Sequence, residues 1–421
     1  MSPYASVGLF RAMELVLASN FDDALIQGTA ALPVSTFFGN FPVGLTGGGR
    51  PPHILPQIDD ERFRAHVRAI HAQGRKFFAT LNSNDLGLKE YTPGFERAFL
   101  GEVGRLLDLG VDGFVVAVPL LIEMIHRAYP EVPISVSTFA RIRTVTQGEF
   151  FLRLGASILV IEEANRDFAL LRGLVRRGAS VEILVNQTCL QGCPFRGHHL
   201  NTSSLASQPG QPCPALEYPI AECGWEMVQD PRRLVGAIYV RPEDLEVYED
   251  IGISRFKVSG RNKPTSWLVR AASAYAHRTY SGDLLDILSY VQVRAPLHYL
   301  RSITPPASAP AEEVVELRDA YGRLGEVSID NRAYPKGFLR RIAATDCEHT
   351  SCDECGYCGT VAQKVLRIGG KPLSEYRPPT RIPPLAVLSR IENVPPNGVP
   401  RASDETGTTG VARAAPVHSA H

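Results

Sequence analysis

The sequence predicts an α/β protein built on a (β/α)8 TIM-like barrel, with a long cysteine-containing insertion after the seventh strand and a cysteine-rich C-terminal appendage. Short β-branched runs alternate with amphipathic segments through residues 1–280, which is typical of parallel α/β architectures. The runs are apolar almost throughout, as expected for strands buried on both faces. Glycines precede several runs, where they can end the helix before.

The predicted strands number nine, one more than an eight-stranded barrel holds. They cover residues 14–19, 34–38, 76–81, 113–117, 134–137, 158–161, 181–185, 237–240 and 255–258. The surplus run is either an edge or capping strand, or it is not a strand. An open doubly wound sheet is the alternative architecture.

Apolar residues at helical spacing, in the segments between the predicted strands, support the barrel. Phe63, Val67 and Ile70 fall on one face of a helix, and Phe95, Phe99, Val103 and Leu106 do the same further along the chain. The glycines predicted to end helices are Gly74, Gly110, Gly155, Gly178 and Gly252.

The chain divides into three predicted parts. Residues 1–280 form the barrel domain, which carries a cysteine-bearing loop at 187–233, and residues 281–377 form the appendage. The tail, 378–421, is rich in Pro, Ser, Thr and Gly with few aromatic residues, so we expect it to be disordered. Long loops inside compact domains are usually functional, which directs attention to 187–233.

Charge and hydropathy narrow the classes of function that the sequence supports. Lys+Arg and Asp+Glu both total 44, so the formal net charge is zero and gives no support for non-specific nucleic-acid binding. No apolar run is long enough to span a membrane. The N-terminus lacks the basic, apolar and small-residue order of a signal peptide. We therefore expect a cytoplasmic protein with no membrane partner.

The eight cysteines fall into two quartets, and a reducing compartment makes disulfides improbable. The first quartet, spaced C-x3-C-x19-C-x9-C, comprises Cys189, Cys193, Cys213 and Cys223. It begins just past the seventh strand, at the end of the barrel where active sites form. Thiolates suit an iron–sulfur cluster or zinc, and a zinc staple that only ties down the loop is the structural alternative.

The second quartet, spaced C-x4-C-x2-C-x2-C, comprises Cys347, Cys352, Cys355 and Cys358. Three cysteines three residues apart are typical of iron–sulfur loops, while a zinc knuckle is the alternative. The chain could thus hold one or two clusters of the 4Fe-4S type, with zinc as the alternative at either site, and one site could also draw ligands from both quartets.

Other candidate site residues follow the strands. The run Gly47-Gly48-Gly49-Arg50 could approach an anion closely, or be a flexible turn. His198 and His199 could transfer protons or simply be solvated. Predicted catalytic residues are His198, His199, Glu162, Lys257 and Arg261, and predicted substrate-binding residues are Asn20, Arg50, Asn82, Ser137 and Asn186.

An ordered set of motifs resembles a known family. ISVSTFAR, LVIEEANRD, VNQTCLQGCPFRGHH and RFKVSGR occur in this order, and the similarity covers roughly residues 14–280. Together they resemble peptidase family U-32, the collagenase-like peptidases. The resemblance implies a barrel-like α/β fold and, as in several members, a four-iron four-sulfur cluster bound by four cysteines. Those members act in oxygen-independent hydroxylation of ubiquinone or of RNA, the latter drawing on prephenate.

This chain departs from the family pattern in four respects. The family's K-I-E-G-R becomes Lys257-Val258-Ser259-Gly260-Arg261, and its S-T-Q becomes Ser137-Thr138-Phe139. The cysteine spacing differs from that of the RNA hydroxylases, and the C-terminal CDECGYC is an added element. The chain therefore represents a distinct branch, whose substrate should not be transferred from better-known members.

Three hypotheses of function remain from the sequence. The first is an iron–sulfur oxidoreductase that hydroxylates, or carries out related redox chemistry on, a small molecule or RNA base, with an electron donor as partner. The second is a collagenase-like peptidase acting on an extended peptide. The third is a non-catalytic iron–sulfur subunit that partners a second barrel subunit. The sequence contains no GxSxG, HExxH or P-loop motif.

Overall fold

The computed structural model of the protein describes residues 12–41, 44–211, 217–289 and 327–380. Eight parallel strands close into a barrel whose strand order follows the chain. The strands are β1 (Glu14–Ala18), β2 (Val34–Gly39), β3 (Lys76–Leu81), β4 (Gly113–Val116), β5 (Ile134–Val136), β6 (Ile158–Ile161), β7 (Ser180–Leu184) and β8 (Arg255–Val258). Parallel pairing of β8 with β1 closes the ring. The predicted barrel is confirmed, and the open sheet is excluded.

Two-sided burial explains the apolar composition of the strands. Every residue of β4 and β6 is buried, because one face of each strand points into the barrel and the other packs against the surrounding helices.

Helices separate the strands and complete the outer layer. They are α1 (Asp23–Gly28), α2 (Asp60–His71), α3 (Phe95–Asp108), α4 (Pro119–Ala128), α5 (Val145–Arg153), α6 (Phe168–Arg176), α7 (Arg196–Leu205), α8 (Tyr218–Gln229), α9 (Arg232–Gly236), α10 (Glu246–Glu249) and α11 (Thr265–Ala276). The predicted apolar face of α2 is confirmed, since Phe63, Val67 and Ile70 are fully buried. The Asp59 carboxylate caps that helix by accepting from the Arg62 backbone N–H at 2.8 Å.

The glycines that were predicted to end helices all adopt positive φ, from 70° at Gly74 to 101° at Gly110. At Gly155 a side chain would also be blocked, because an added Cβ would lie 2.2 Å from the ring of His126. The helix-ending role is therefore confirmed by backbone geometry.

The ninth predicted strand, residues 237–240, is wrong. The segment is buried, but its backbone bonds outside the barrel sheet. Ile238 donates to the Cys189 carbonyl at 3.0 Å, and Val240 donates to the Val185 carbonyl at 2.7 Å. Its apolar composition reflects burial against the loops that follow β6 and β7, and not membership of a strand.

The segment predicted as an insertion after β7, residues 187–233, contains α7, α8 and the start of α9. The C-terminal end of α7 is tied to the loop after β3: Ser204 Oγ accepts from the Asn84 backbone N–H at 2.9 Å, and the Ser207 and Ser83 hydroxyls lie 3.1 Å apart. The insertion therefore covers the carboxyl-terminal mouth of the barrel.

The appendage packs against the barrel domain. Its described residues contain a three-stranded antiparallel sheet and three α-helices: β9 (Val327–Ile329), β10 (Leu366–Ile368), β11 (Lys371–Pro372), α12 (Phe338–Ala343), α13 (Cys352–Cys355) and α14 (Tyr357–Val365). Buried hydroxyls of Tyr239 and Tyr334 lie 2.6 Å apart across the contact, and the Arg241 guanidinium sits 4.4 Å from the Tyr334 ring centroid. These contacts join the appendage to the barrel domain.

Two further sequence predictions concern the C-terminal tail and the absence of membrane-spanning helices. From residue 381 onward, the tail predicted to be disordered lies outside the described residues. Across the described ranges, no helix is both long and apolar enough to cross a bilayer.

Candidate active site

A cavity opens at the mouth of the barrel, at the carboxyl ends of the strands. Its volume is about 810 Å³, including the part open to solvent. Six strands supply one wall residue each: Phe38, Thr80, Val115, Val160, Leu184 and Lys257. Because active sites of (β/α)8 barrels form at this end, the cavity is the candidate active site.

Most of the residues predicted from sequence meet in this cavity. Seven of the ten predicted catalytic and substrate-binding residues line it: Arg50, Asn82, Ser137, Glu162, His199, Lys257 and Arg261. The predicted metal ligand Cys189 is also in the wall.

Three predicted residues lie elsewhere. Asn20 donates to the Lys263 carbonyl and the Thr265 hydroxyl, so it holds the start of α11. The buried side chain of Asn186 bonds to Ser259 through both its amide nitrogen and its oxygen. His198 is exposed on α7. The two asparagines support the surrounding loops, and none of the three residues forms the cavity wall.

One guanidinium connects the insertion to the barrel rim. Arg196, the first residue of α7, donates from Nη1 to Sγ of Cys189 at 3.2 Å, and its Nη2 forms an ion pair with Glu162. Both members of the pair are almost completely buried. Burial opposes the charge on Arg196, but Glu162 and Cys189 outweigh it and raise the pKa of Arg196.

Three thiols of the insertion, Cys189, Cys193 and Cys223, have raised pKa values. Burial raises the pKa of Cys189 to about 12, with Arg196 acting in the opposite direction and Cys193 adding to the rise. Burial also raises the pKa of Cys223, and Cys189 and Cys193 raise it further. All three are therefore neutral thiols at pH 7 unless a cation offsets their charge.

The fourth predicted ligand, Cys213, lies outside the described residues. Among residues the structure does describe, no three Cys, His, Asp or Glu side chains are gathered in an arrangement that could hold a metal ion. Convergence of the first quartet on one centre thus stays a prediction. The chemistry of its three described members, which are soft donors, fits a thiophilic metal.

Further polar groups at the cavity come from the loop after β2 and from the segment that follows β8. Arg261 donates from Nη1 to Asn40 Oδ1 at 2.7 Å, to the Gly48 carbonyl at 2.9 Å and to the Thr80 hydroxyl at 3.0 Å. Gly48 permits this approach, because an added Cβ would lie 2.7 Å from Cβ of Asn40. Arg50 extends from the same glycine run into the cavity wall.

A histidine and a carboxyl form the remaining ionisable pair. His199 Nε2 lies 3.5 Å from Glu217 Oε2. Burial, followed by the charges of Arg196 and Arg50, lowers the pKa of His199 to about 3. Burial raises the pKa of Glu217 to about 7, against the influence of Arg50. At neutral pH, His199 is uncharged and Glu217 is poised between its two protonation states.

Comparisons with known proteins indicate the family that the chain resembles. The family description that matches residues 55–166 is peptidase family U32. An uncharacterized protease of Methanocaldococcus jannaschii is 24% identical over 326 residues, which cover 76% of this chain and 86% of that protein. The chain is thus similar to peptidase family U32 over residues 55–166, and to the archaeal protease over most of its length.

Solved structures with lower similarity include a U32 peptidase. The U32 peptidase Mk0906 is 18% identical with a TM-score of 0.44, over 62% of this chain and 97% of that one. KGPDC from Streptococcus mutans is 12% identical with a TM-score of 0.34, over 64% of this chain and 97% of that one.

Sequence reasoning missed three ionisable groups in this protein: Glu182, Arg196 and Glu217. Glu182 lies inside the barrel and accepts from Lys257 Nζ at 2.9 Å. A lone carboxylate in the apolar run of β7 is a signal that could have identified it, because buried charges are usually paired. Arg196, inside the CPFRG motif, offered a similar signal, whereas nothing local distinguishes Glu217.

Two buried acceptor oxygens of the cavity wall have no hydrogen-bond partner among the described residues. They are Oδ1 of Asn82 and Oε1 of Glu162. Both side chains are more than nine-tenths buried. Because an unsatisfied buried acceptor costs free energy, these atoms are suited to accept from donor groups of a bound molecule.

Proposed function

We propose that this protein is an iron–sulfur enzyme that performs oxygen-independent hydroxylation, or related redox chemistry, on a small polar molecule in the barrel mouth. The observation that carries the proposal is the group of three thiols at the cavity: Cys189 in its wall, with Cys193 and Cys223 close enough to affect the pKa values of the group. Cys213 is the expected fourth ligand.

The donor set fits a cluster. Buried thiols with raised pKa values gain most from a cation that allows them to ionise. Arg196 would compensate part of the negative charge that four ligating thiolates bring, since it already donates to Cys189. When bound, an iron–sulfur cluster supplies one-electron redox chemistry.

The wall of the cavity favours a small molecule that carries both an anionic group and hydrogen-bond donors. Arg50 and Arg261 are cations of the wall that could bind a carboxylate or phosphate. The unpartnered acceptors of Asn82 and Glu162 suit hydroxyl groups. An RNA substrate is less favoured, because the chain has no excess of positive charge to attract a polyanion.

The chain also provides a group that can exchange a proton near neutral pH. Glu217, with a pKa of about 7, lies against His199, which is itself in the cavity wall. General acid–base groups work best when their pKa lies near the working pH. Glu217 would therefore hold or release a proton through His199 or a water molecule during turnover.

Peptidase activity is the second candidate, because the family and its archaeal relative carry that description. The thiol geometry argues against a cysteine nucleophile. Sγ of Cys189 accepts from Arg196, and its pKa of about 12 keeps it protonated, whereas the nucleophile must be a thiolate. Cleavage of denatured collagen by wild type, but not by Cys189→Ala, would favour the peptidase.

Anaerobic purification followed by iron, sulfide and zinc analysis tests the proposal. We use the Cys352→Ser/Cys355→Ser chain as the background, so that metal at the appendage is not counted. We expect iron and acid-labile sulfide in equal amounts, and their loss in Cys189→Ala and Cys223→Ala. Ser203→Ala, which changes a wall residue that is not a thiol, should retain both. Stoichiometric zinc without iron, or unchanged iron in Cys189→Ala, would overturn the cluster.

A further inference from the structure

Lys257 is a buried amine in the cavity wall that the proposed redox chemistry leaves without a role. It lies on β8, and its side chain is only 7% exposed. Among the described residues that line the cavity, it is the only lysine. The inward-facing positions of (β/α)8 barrels are normally filled by branched apolar side chains, so a lysine at this position requires an explanation.

Two contacts hold the amine in place. Lys257 Nζ donates to Glu182 Oε1 at 2.9 Å, and it lies 4.0 Å from the ring centroid of Phe38, which is also a wall residue. The other carboxylate oxygen of Glu182, Oε2, is 3.3 Å from Arg255 Nη2. Because Glu182 has this second cation, the carboxylate stays paired when the charge on Lys257 changes.

Stability alone does not explain the pair between Lys257 and Glu182. The desolvation of two buried charges cancels much of their attraction, and apolar side chains of similar volume often stabilise a protein as well or better. Lys257 also lines a cavity that contains the polar side chains of Thr80 and Asn82, whereas a purely structural pair has no need of such a cavity. A group that reacts with a bound molecule accounts for both features.

The surroundings of Lys257 favour its neutral form. Burial lowers the pKa of Lys257, with Glu182 acting in the opposite direction and Arg255 and Arg261 adding to the fall, and the net shift is downward. Only the neutral amine is a nucleophile. Desolvation and neighbouring cations are the means by which proteins activate lysines for attack on carbonyl groups.

We propose that Lys257 binds the substrate covalently, as an imine with an aldehyde or ketone that also carries a carboxylate or phosphate. This inference rests on the proposed function only in placing the substrate in the same cavity. Arg50 and Arg261 of the wall match the anionic group. The unpartnered oxygens of Asn82 and Glu162 match hydroxyl groups of the same molecule.

Imine formation at Lys257 needs no co-reactant. The ammonium gives one proton to Glu182 Oε1, and the free amine forms a C–N bond while the carbonyl π electrons move to oxygen. The nitrogen then passes a second proton to that oxygen, Glu182 returns the first, and the oxygen leaves as water while the C=N bond forms. The product is a protonated imine, so one positive charge remains beside the Glu182 carboxylate.

Reductive trapping tests the imine. Full-length protein is incubated with pyruvate, dihydroxyacetone phosphate or acetone, together with sodium cyanoborohydride, which reduces an imine to a stable amine. Mass spectrometry of the intact chain and of its peptides counts and locates the adducts. We expect one adduct per chain, on Lys257, with pyruvate if the anionic group is a carboxylate and with dihydroxyacetone phosphate if it is a phosphate. Acetone, which has no anionic group, should label Lys257 far less.

Two lysine variants are the matched controls. Lys257→Arg keeps a cation beside Glu182 but cannot form an imine, so it should lose the adduct while its far-UV circular dichroism stays that of wild type. Lys263→Arg changes a lysine that packs over the Trp267 ring and does not line the cavity, and it should keep the adduct. If Lys257→Arg does not fold, peptide mapping of wild type alone decides whether Lys257 is the labelled residue.

The outcomes separate the imine from the proposed redox chemistry, because iron and sulfide are measured on the same preparations before trapping. An adduct on Lys257 in a chain without iron would support the imine and reject the cluster, whereas iron without an adduct would support the cluster and reject the imine. The imine is also overturned if Lys257→Arg is labelled as much as wild type. Equal labelling by acetone would overturn the requirement for an anionic group.

Discussion

Arg196 donates to the thiol of Cys189 at 3.2 Å, and the two residues bring the start of α7 onto the segment that follows β7. The same guanidinium pairs with Glu162 at the end of β6. The Arg196 guanidinium contacts both a candidate metal ligand and a carboxylate at the barrel rim. Its positive charge therefore sets the charge balance in this part of the cavity wall. Arg196 also makes the insertion part of the active site.

Removal of this cation should be costly. We expect Arg196→Met to lower the free energy of unfolding by about 3–5 kcal/mol, because it leaves the buried Glu162 charge without its partner. Glu162→Gln in the same chain should restore part of the loss. Arg143→Met removes a partly exposed arginine that pairs with Glu163 and should cost no more than about 1 kcal/mol. Urea unfolding measures the free energies of wild type, Arg196→Met, Arg196→Met/Glu162→Gln and Arg143→Met. Equal losses in Arg196→Met and Arg143→Met would contradict the special cost of breaking the buried pair.

Glu217 should make stability depend on pH. Its pKa rises from 4.5 to about 7 on folding, so the folded state binds the proton more tightly. The stabilisation is complete below pH 4.5, is lost as the pH rises towards 7, and amounts to about 3 kcal/mol by linkage. The free energy of unfolding of wild type should therefore fall relative to that of Glu217→Gln between pH 4.5 and about pH 7. Outside this range the difference between the two proteins should stay constant. Denaturant unfolding at several pH values checks this, and parallel curves would show that the carboxyl is not perturbed.

The barrel could be predicted from sequence because its signals are local. Buried strands such as β6 are apolar throughout, and each helix-ending glycine adopts the expected φ. Residues 237–240 carry the same local signal but pack outside the sheet. An apolar composition indicates that a segment is buried on both sides. Whether that segment is a strand depends on the partners of its backbone N–H groups.

The site could be predicted only in part, because side-chain direction depends on distant partners. Asn82 and Asn186 both follow strands, yet Asn82 lines the cavity while Asn186 bonds to Ser259, 73 residues away. Asn20 similarly bonds to Thr265. Strand-end position places a residue on the rim, whereas the choice between cavity and neighbouring loop follows from contacts that sequence spacing does not contain.

The close approach at Gly48 should be intolerant of a side chain. In Gly48→Ala the new Cβ would meet Asn40, which accepts from Arg261, so we expect a loss of about 1–3 kcal/mol from overpacking and weaker binding of anions in the cavity. Gly101→Ala is the matched control, because nothing lies within 4 Å of its added Cβ and it should be neutral or slightly stabilising. Thermal unfolding distinguishes them. Equal midpoints would show that the loop after β2 adjusts freely.

The ion pair inside the barrel yields the last prediction. Lys257 Nζ is 2.9 Å from Glu182 Oε1 and 4.0 Å from the Phe38 ring centroid. Burial opposes the charge of Glu182, but Lys257 and Arg255 together outweigh it, so the pKa of Glu182 lies below its usual value of 4.5. We expect Lys257→Met to lose about 3 kcal/mol near pH 7, the lower end of the cost of breaking a buried pair, because Arg255 still contacts the carboxylate.

The pH dependence tests the cause of that loss. A carboxyl whose pKa is lowered on folding stabilises the protein above its unfolded pKa, and this contribution disappears as the pH falls through the folded value. The deficit of Lys257→Met should therefore shrink below pH 4.5, where Glu182 takes up a proton in the variant first. The double variant Lys257→Met/Glu182→Gln should recover much of the stability at pH 7. A deficit that is constant from pH 7 to pH 4 would indicate lost packing against Phe38 instead of a lost charge pair.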